Sequence, residues 1–228
     1  MIQLSTLLFA LLGGLAMWWF SAYRLNRQLD AQSTELTDPL IRSHVARMAD
    51  VLDLDDLHVY VFETPAINGL ASPDGRIFIT RGFLDKYRLG DVRSEEIAGV
   101  IAHELGHVAL GHSKRRMFDF TGQNAVRVLL ATVLGRFIPF IGIYIANFLS
   151  QMLAARLSRQ DEYEADEYAA ALMTKIGLGT GPQVSLFQKL ERIAGGQGGQ
   201  LAWLMSHPRT DDRIAAINRL SDAWRAAR

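Results

Sequence analysis

The chain has 228 residues, a formal net charge of zero and no cysteine. This length is sufficient for one domain with a hydrophobic core, and the absence of cysteine excludes disulfide bonds. The balanced charge gives no indication of nucleic-acid binding, so we predict no nucleic-acid partner.

The chain begins with an apolar segment that carries no charged side chain before Arg24. About twenty apolar residues are enough to cross a bilayer as a helix, and Trp18 and Trp19 are typical of a membrane interface. The alternative is a cleaved secretory signal, but a basic start and a clear cleavage site are lacking. We therefore predict an uncleaved transmembrane anchor over residues 1–24 and a domain over residues 36–228. Because arginines follow the span, this domain is expected on the cytoplasmic side.

The next elements are a helix and two short strands. Apolar residues at helical spacing predict a helix between residues 36 and 52. H-V-Y-V-F at 58–62 is typical of a short strand, and R-I-F-I-T at 76–80 predicts a second one. Residues 63–75, with several prolines and glycines, predict a turn-rich connection between the strands.

The segment 94–112 carries the motif H-E-x-x-H as His103, Glu104 and His107. We predict a helix that begins with Ser94 as its N-cap and presents the two histidines on one face. Two imidazoles in this arrangement bind one zinc ion, and an adjacent carboxylate removes a proton from water. The pattern is that of a metalloprotease, whereas the alternative is a chance occurrence on an ordinary helix.

Neither the helix itself nor its continuation supplies an obvious third ligand. His112 follows His107 by five residues and points elsewhere on a helix, so we interpret it as a capping or surface histidine. The acidic segment 158–168 is predicted to be helical, with Glu162 and Asp166 four residues apart on one face. One of them is a candidate zinc ligand, and the other a candidate to orient a ligating histidine. A plain charged helix face is the equally weighted alternative.

Residues 125–157 form a second long hydrophobic stretch, interrupted by Arg127, Arg136, Pro139 and Asn147. Charges in the middle of a bilayer are costly, so three interpretations remain. The stretch forms interfacial or re-entrant helices, a true span or hairpin, or an internal helix pair. The first interpretation, a membrane-associated insert, places the neighbouring site near the membrane surface.

The remaining elements are helical. An amphipathic helix is predicted over 183–194, a glycine-rich loop over 195–199 and a final helix over 210–226. The loop precedes the stretch that contains His207, so it permits that stretch to move.

Four stretches, in the same order along the chain, resemble the HtpX-type membrane zinc metalloproteases, which are relatives of the CAAX prenyl proteases. They are N-G-L-A-S-P-D-G-R-I-F-I-T-R-G at 68–82, H-E-L-G-H at 103–107, S-R-Q-D-E-Y-E-A-D at 158–166 and S-H-P-R-T-D-D-R-I at 206–214. Gly69 stands where this family usually has alanine. The chain also has one hydrophobic span before residue 60, where HtpX proper has two.

The resemblance implies a gluzincin, a mostly helical α+β zincin with a small sheet. It implies one Zn²⁺ per chain, bound by His103, His107 and Glu162, with Glu104 as the base. Asp166 then supports a ligating histidine. His207 is implied as an additional inhibitory ligand or a substrate-site residue, and Arg213 as a group that stabilises the tetrahedral oxyanion; capping of the last helix is the alternative for both.

In gluzincins the strand beside the active-site helix is an edge strand to which an extended peptide adds. We expect this strand here to include Arg76, Ile77 and Phe78, with Asn68 at its rim; the alternative is that Asn68 is a turn residue. The predicted function is a zinc metalloendopeptidase in a membrane, by expectation the bacterial inner membrane, that degrades membrane or misfolded polypeptides. The alternative is a chaperone-like or latent binding module whose structural zinc is closed by His207. The sequence indicates no oligomeric state.

Overall fold

The computed structural model describes residues 4–72, 74–112, 115, 142–196, 207 and 210–227. The helices are α1 (Leu4–Ala31), α2 (Pro39–Val51), α3 (Arg81–Arg88), α4 (Ser94–Ala109), α5 (Gly142–Lys175), α6 (Gly181–Gly196) and α7 (Thr210–Ala226). The strands are β1 (Ser33–Glu35), β2 (Val59–Phe62), β3 (Gly69–Ala71) and β4 (Ile77–Thr80). The predicted class, mostly helical with a small sheet, is confirmed.

The chain divides into two compact units. One comprises Met1–Arg27 and Gly111–Asp161, and the other comprises Gln28–Leu110 and Glu162–Arg228. The second unit contains the sheet and the metal-binding candidates His103, His107, Glu162 and His207. The predicted boundaries of an anchor at 1–24 and a domain at 36–228 stay a prediction.

In the first unit, the described side chains of α1 expose several large apolar groups, namely Leu8, Phe9, Leu12, Met17, Trp19 and Phe20. The guanidinium of Arg24 lies 5.8 Å from the centre of the Phe20 ring. Among the described residues, no helix combines the length and hydropathy that a bilayer crossing requires. The span predicted at 1–24 therefore stays a prediction. Of the hydrophobic stretch 125–157, residues 125–141 lie outside the described part and the rest begins α5.

The sheet in the second unit has the order β1-β2-β4-β3. β2 and β4 are parallel, while β1 pairs with β2 and β3 with β4 in antiparallel fashion. Short strands β1 and β3 were not predicted, and β3 lies within the segment assigned to turns. The prediction that Arg76, Ile77 and Phe78 belong to an edge strand is wrong, because β4 is paired on both sides and all four of its residues are buried.

Helix α4 is seated in the core of the second unit. Ile97 and Ile101 are fully buried, and so is the carboxylate of Glu96. That carboxylate accepts hydrogen bonds from Lys189 Nζ at 2.8 Å and Ser185 Oγ at 2.7 Å, both on α6. It also accepts a hydrogen bond from the backbone N–H of Arg93 at 2.8 Å. The N-cap of α4 is therefore Arg93 rather than the predicted Ser94. These contacts fix the start of α4 against α6.

Candidate metal centre

Helix α4 places both histidines of the H-E-x-x-H motif in a buried pocket. His103 and His107 lie one turn apart, and their Nε2 atoms approach to 3.1 Å. Both side chains and the carboxylate of Glu104 are buried. Buried ionisable groups at this density are costly unless they are paired or bind a cation, so the cluster itself indicates a ligand.

Helix α5 contributes Glu162 to the same pocket. Its Oε2 lies 3.4 Å from His103 Nε2, and its Oε1 lies 3.5 Å from His107 Nε2. The predicted meeting of α4 with the acidic helix therefore occurs. Because α5 already begins at Gly142, Glu162 lies well inside a long helix rather than near the start of a shorter one.

A fourth candidate ligand, and the third nitrogen, comes from His207. Its Nδ1 lies 3.3 Å from His103 Nε2 and 2.5 Å from Glu162 Oε2. Its Nε2 lies 3.6 Å from Glu104 Oε1. One ligating atom from each of His103, His107, Glu162 and His207 falls within 4.8 Å of the others.

The spacing of these atoms fits zinc. A tetrahedral zinc ion bound at about 2.0–2.1 Å by nitrogen or oxygen separates its ligand atoms by about 3.3–3.4 Å. The distances of 3.1, 3.4 and 3.5 Å among His103, His107 and Glu162 are close to this edge length, with the last two measured to different oxygens of Glu162. In addition, Glu104 Oε1 is buried and accepts no hydrogen bond within the described residues. The residues present thus fit a zinc ion with an acid–base group beside it.

The electrostatics of the pocket favour a positive charge beside Nε2 of His103. Burial acts to lower the pKa of His103, but the carboxylates of Asp166 and Glu162 outweigh burial and raise this pKa to about 9. Burial acts to raise the pKa of Glu162, but hydrogen bonds with His103 and His207 hold it well below its usual range. A proton or a metal ion supplies the charge that this carboxylate requires, and the two compete.

Asp166 lies on the other side of His103. Its Oδ1 is 2.9 Å from His103 Nδ1, while His103 Nε2 is the ring nitrogen that faces Glu162 and His107. Arg213 donates to Asp166 through Nε at 2.6 Å and Nη2 at 2.8 Å. Asp166 thus lies beside His103, but its supporting role stays a prediction, as does the oxyanion role of Arg213.

Gly106, the glycine of H-E-L-G-H, was not identified from the sequence as a site residue. A Cβ atom at Gly106 would lie 3.0 Å from the Cα and 3.1 Å from the carbonyl oxygen of Ala165. Any larger residue at position 106 therefore pushes α5 away from α4. Since Ala165 lies between Glu162 and Asp166, this close approach sets the distance between the histidines and both carboxylates. The only sequence signal for this close approach is that each motif contains a small residue, Gly106 in H-E-L-G-H and Ala165 in S-R-Q-D-E-Y-E-A-D.

The other predicted residues lie apart from the ligand cluster. Arg76 pairs with Asp74 and Asp30, and its guanidinium lies 5.4 Å from the centre of the Phe78 ring. Asn68 directly precedes β3, and its backbone carbonyl accepts hydrogen bonds from Thr80. The free edge of the described sheet on this side is β3, so Asn68 lies at the edge and Ile77 and Phe78 do not.

His112 was predicted to be a capping or surface histidine, and the surface alternative is wrong because His112 is buried. Within the first unit its Nε2 lies 3.9 Å from Asp161 Oδ1, which also accepts a hydrogen bond from Arg115 Nη1 at 3.0 Å. His112 is not part of the ligand cluster of His103 and His107.

Comparison with known proteins connects this site to a family of enzymes. The model of Peptidase family M48 matches residues 35–221. The chain is 30% identical over 157 residues to Metalloprotease LoiP of Escherichia coli, covering 69% of this chain and 60% of LoiP. It is 30% identical to Metalloprotease YcaL of the same organism, covering 69% of this chain and 59% of YcaL. A Protease HtpX homolog of Methylacidiphilum infernorum is 24% identical over 90% of this chain and 79% of its own length. The chain thus spans about three fifths of the first two relatives.

Proposed function

The chain belongs to peptidase family M48, and from that premise we propose that it is a zinc-dependent metalloendopeptidase. One observation carries the proposal: the Nε2 atoms of His103 and His107 and the carboxylate of Glu162 lie 3.1–3.5 Å apart. Nitrogen and oxygen donors at this spacing are what a catalytic zinc site uses.

Each side chain of the site has a distinct task in this proposal. His103, His107 and Glu162 hold the ion, and Asp166 orients His103 through Nδ1. Bound zinc supplies a Lewis acid that polarises the scissile carbonyl and acidifies water. Glu104 removes the proton from the attacking water and returns it to the leaving amine. The buried Glu104 Oε1, which accepts no hydrogen bond within the described residues, is suited to this proton transfer.

The proposed substrate is an extended polypeptide that adds to β3. The outer edge of β3 has no partner among the described strands, and the hairpin that follows it reaches the end of α4. There a Cβ atom at Gly75 would lie 3.5 Å from Val108 Cγ1. Pairing at a strand edge recognises the main chain and not a particular sequence. Broad recognition of this kind suits the degradation of misfolded or membrane polypeptides in protein quality control.

The proposal includes a membrane anchor at residues 1–24, with the catalytic domain on the cytoplasmic side of a bacterial inner membrane. The support is the apolar sequence and the exposed apolar side chains of α1, among them Phe9, Trp19 and Phe20. The anchored chain is expected to resist carbonate extraction from membranes, and a chain that begins at residue 25 is expected to be released more readily. Release of the full chain by carbonate contradicts the anchor.

The direct test of the enzyme is removal and return of the metal. Full-length protein in detergent is expected to contain one zinc per chain and to cleave an unfolded protein such as casein. Chelation is expected to abolish cleavage, and one equivalent of Zn²⁺ is expected to restore it, because both the Lewis acid and the acidified water depend on the ion. Full activity of protein shown by elemental analysis to be free of metal contradicts the proposal.

A second candidate function follows from the position of His207. With Nδ1 3.3 Å from His103 Nε2, this residue is a candidate fourth ligand, and a zinc site closed by four protein ligands is structural or latent. The enzyme proposal expects His207→Ala to keep one zinc per chain, since three ligands remain. The structural alternative expects this variant to lose zinc and thermal stability together. The zinc content and melting temperature of His207→Ala distinguish the two. If the wild type is a latent enzyme, casein cleavage by His207→Ala is also expected to rise above that of the wild type.

A further inference from the structure

The carboxylate of Asp166 accepts hydrogen bonds from two helices, α6 and α7, and lies against the ring of His103 on α4. Besides His103 Nδ1 at 2.9 Å, Oδ1 lies 2.8 Å from Arg213 Nη2 and 3.3 Å from Gln183 Nε2. Oδ2 accepts a fourth contact, from Arg213 Nε at 2.6 Å. A carboxylate bound in this way has no freedom to rotate, so its orientation toward His103 is fixed before any ligand arrives.

The guanidinium of Arg213 is fully engaged in this arrangement. Two of its nitrogens bind Asp166, while Nη1 lies 3.3 Å from the backbone oxygen of His207 and 3.5 Å from Glu162 Oε2. The guanidinium carbon Cζ of Arg213 lies 4.5 Å from the centre of the Phe187 ring, and the side chain is 2% exposed. Turning such a group toward a substrate breaks a buried bidentate ion pair, and a buried carboxylate left unpaired is strongly destabilising.

Gln183 provides the second support, from the first turn of α6. Its side chain is buried, and Nε2 also lies 3.4 Å from the backbone oxygen of Asp166. The backbone of α6 is close to α4 at this point, because a Cβ atom at Gly99 would lie 3.7 Å from Gln183 Cα. The packing of the two helices therefore determines where this amide can reach.

We propose that Arg213 and Gln183 are positioning residues that act through Asp166 to aim His103 Nε2 at the metal. This inference rests on the proposed zinc site, and it assigns to Arg213 a task other than the stabilisation of an oxyanion. Residues that orient a ligand in this way typically change metal affinity by about 10–100-fold when they are replaced. An oxyanion-stabilising residue leaves metal affinity unchanged.

The test measures zinc affinity by competition with a chromogenic chelator, which requires no peptidase activity. Arg213→Met is expected to weaken zinc binding by about 10–100-fold and Gln183→Met by less than about tenfold, since it removes the longer of the contacts. Arg213→Lys is expected to restore only part of the affinity, because a lysine cannot bind the carboxylate in bidentate fashion. The visible spectrum of Co²⁺-substituted protein is expected to change in Arg213→Met, as the geometry of His103 relaxes.

The matched control is Arg81→Met. Arg81 also forms a bidentate pair, with Glu63 at 2.9 and 2.5 Å, but it lies on the surface outside the ligand cluster. Its replacement is expected to leave zinc affinity unchanged. A double-mutant cycle tests the route: in an Asp166→Asn background, Arg213→Met is expected to add little further loss.

Three results overturn the inference. The first is a zinc affinity of Arg213→Met within about twofold of wild type while cleavage is lost, which assigns an oxyanion role to Arg213. The second is additive losses in the cycle with Asp166→Asn, which show a route that avoids Asp166. The third result applies if circular dichroism shows that Arg213→Met does not fold. It is a zinc affinity equal to that of the wild type in both Arg213→Lys and Gln183→Met. Absence of zinc binding in the wild type instead refutes the proposed zinc enzyme itself.

Discussion

Glu104→Gln is expected to lower casein cleavage by about 10²–10⁴-fold while the protein keeps its zinc, because this is the range that general acid–base catalysis contributes. Glutamine has nearly the same size, so the buried position accepts it, but an amide neither takes a proton from water nor returns one to the leaving amine. Glu104 is not expected to bind the ion itself, because it is not one of the four residues whose ligand atoms cluster within 4.8 Å.

The measurement combines zinc content by elemental analysis with the rate of casein cleavage in detergent. Glu95→Gln is the matched control, because Glu95 lies in the first turn of the same helix and outside the ligand cluster. Its replacement is expected to retain both zinc and activity. Undiminished cleavage by Glu104→Gln, with zinc bound, contradicts the assignment of Glu104 as the base.

The central helix was predictable because its chemistry is local. His103 and His107 are four residues apart, and any α-helix brings such a pair to one face. This spacing brings the two rings together, and their Nε2 atoms lie 3.1 Å apart. The spacing of Glu162 and Asp166 equally placed them on one face, but it left open which carboxylate meets the metal and which meets Nδ1.

The supporting residues were not predictable in the same way, because their contacts join distant parts of the chain. Arg213 binds a carboxylate 47 residues earlier, and Gln183 reaches the same carboxylate across 17 residues. The resemblance singled out Arg213 only as an oxyanion group and did not single out Gln183, so only the packing of α6 and α7 reveals their partner. Gly106 is a similar case, since its importance lies in the 3.0 Å that a Cβ atom would leave to Ala165.

The sheet shows why strand position is harder to predict than strand existence. Both β2 and β4 were predicted, but the three-residue strands at the two edges are too short to produce an alternating pattern. The run of four buried residues from Ile77 to Thr80 is characteristic of a strand covered on both faces. That run is a signal for a central strand, and the segment before it, Gly69–Ala71, forms the edge.

The second large effect concerns the ligand from α5: Glu162→Ala is expected to lose the metal. The pKa of this carboxyl is held well below its usual range by His103 and His207, so it is ionised at neutral pH and contributes a negative charge to the pocket. Its removal leaves two imidazoles, and the other carboxylate that contacts His103, that of Asp166, already binds Arg213. Two neutral nitrogen ligands hold zinc far more weakly than two nitrogens and an anion.

The zinc content of Glu162→Ala is compared with that of Glu167→Ala, an exposed glutamate on the same helix. The control is expected to retain one zinc per chain and full casein cleavage, whereas Glu162→Ala is expected to lose both. Circular dichroism of the two variants separates loss of the ion from loss of the fold. Because His207 Nδ1 lies 3.3 Å from His103 Nε2, it is the only other described group placed to replace the lost oxygen. If Glu162→Ala retains one zinc per chain, the third ligand is expected to be His207. Loss of zinc in the double variant Glu162→Ala/His207→Ala then identifies His207 as that ligand.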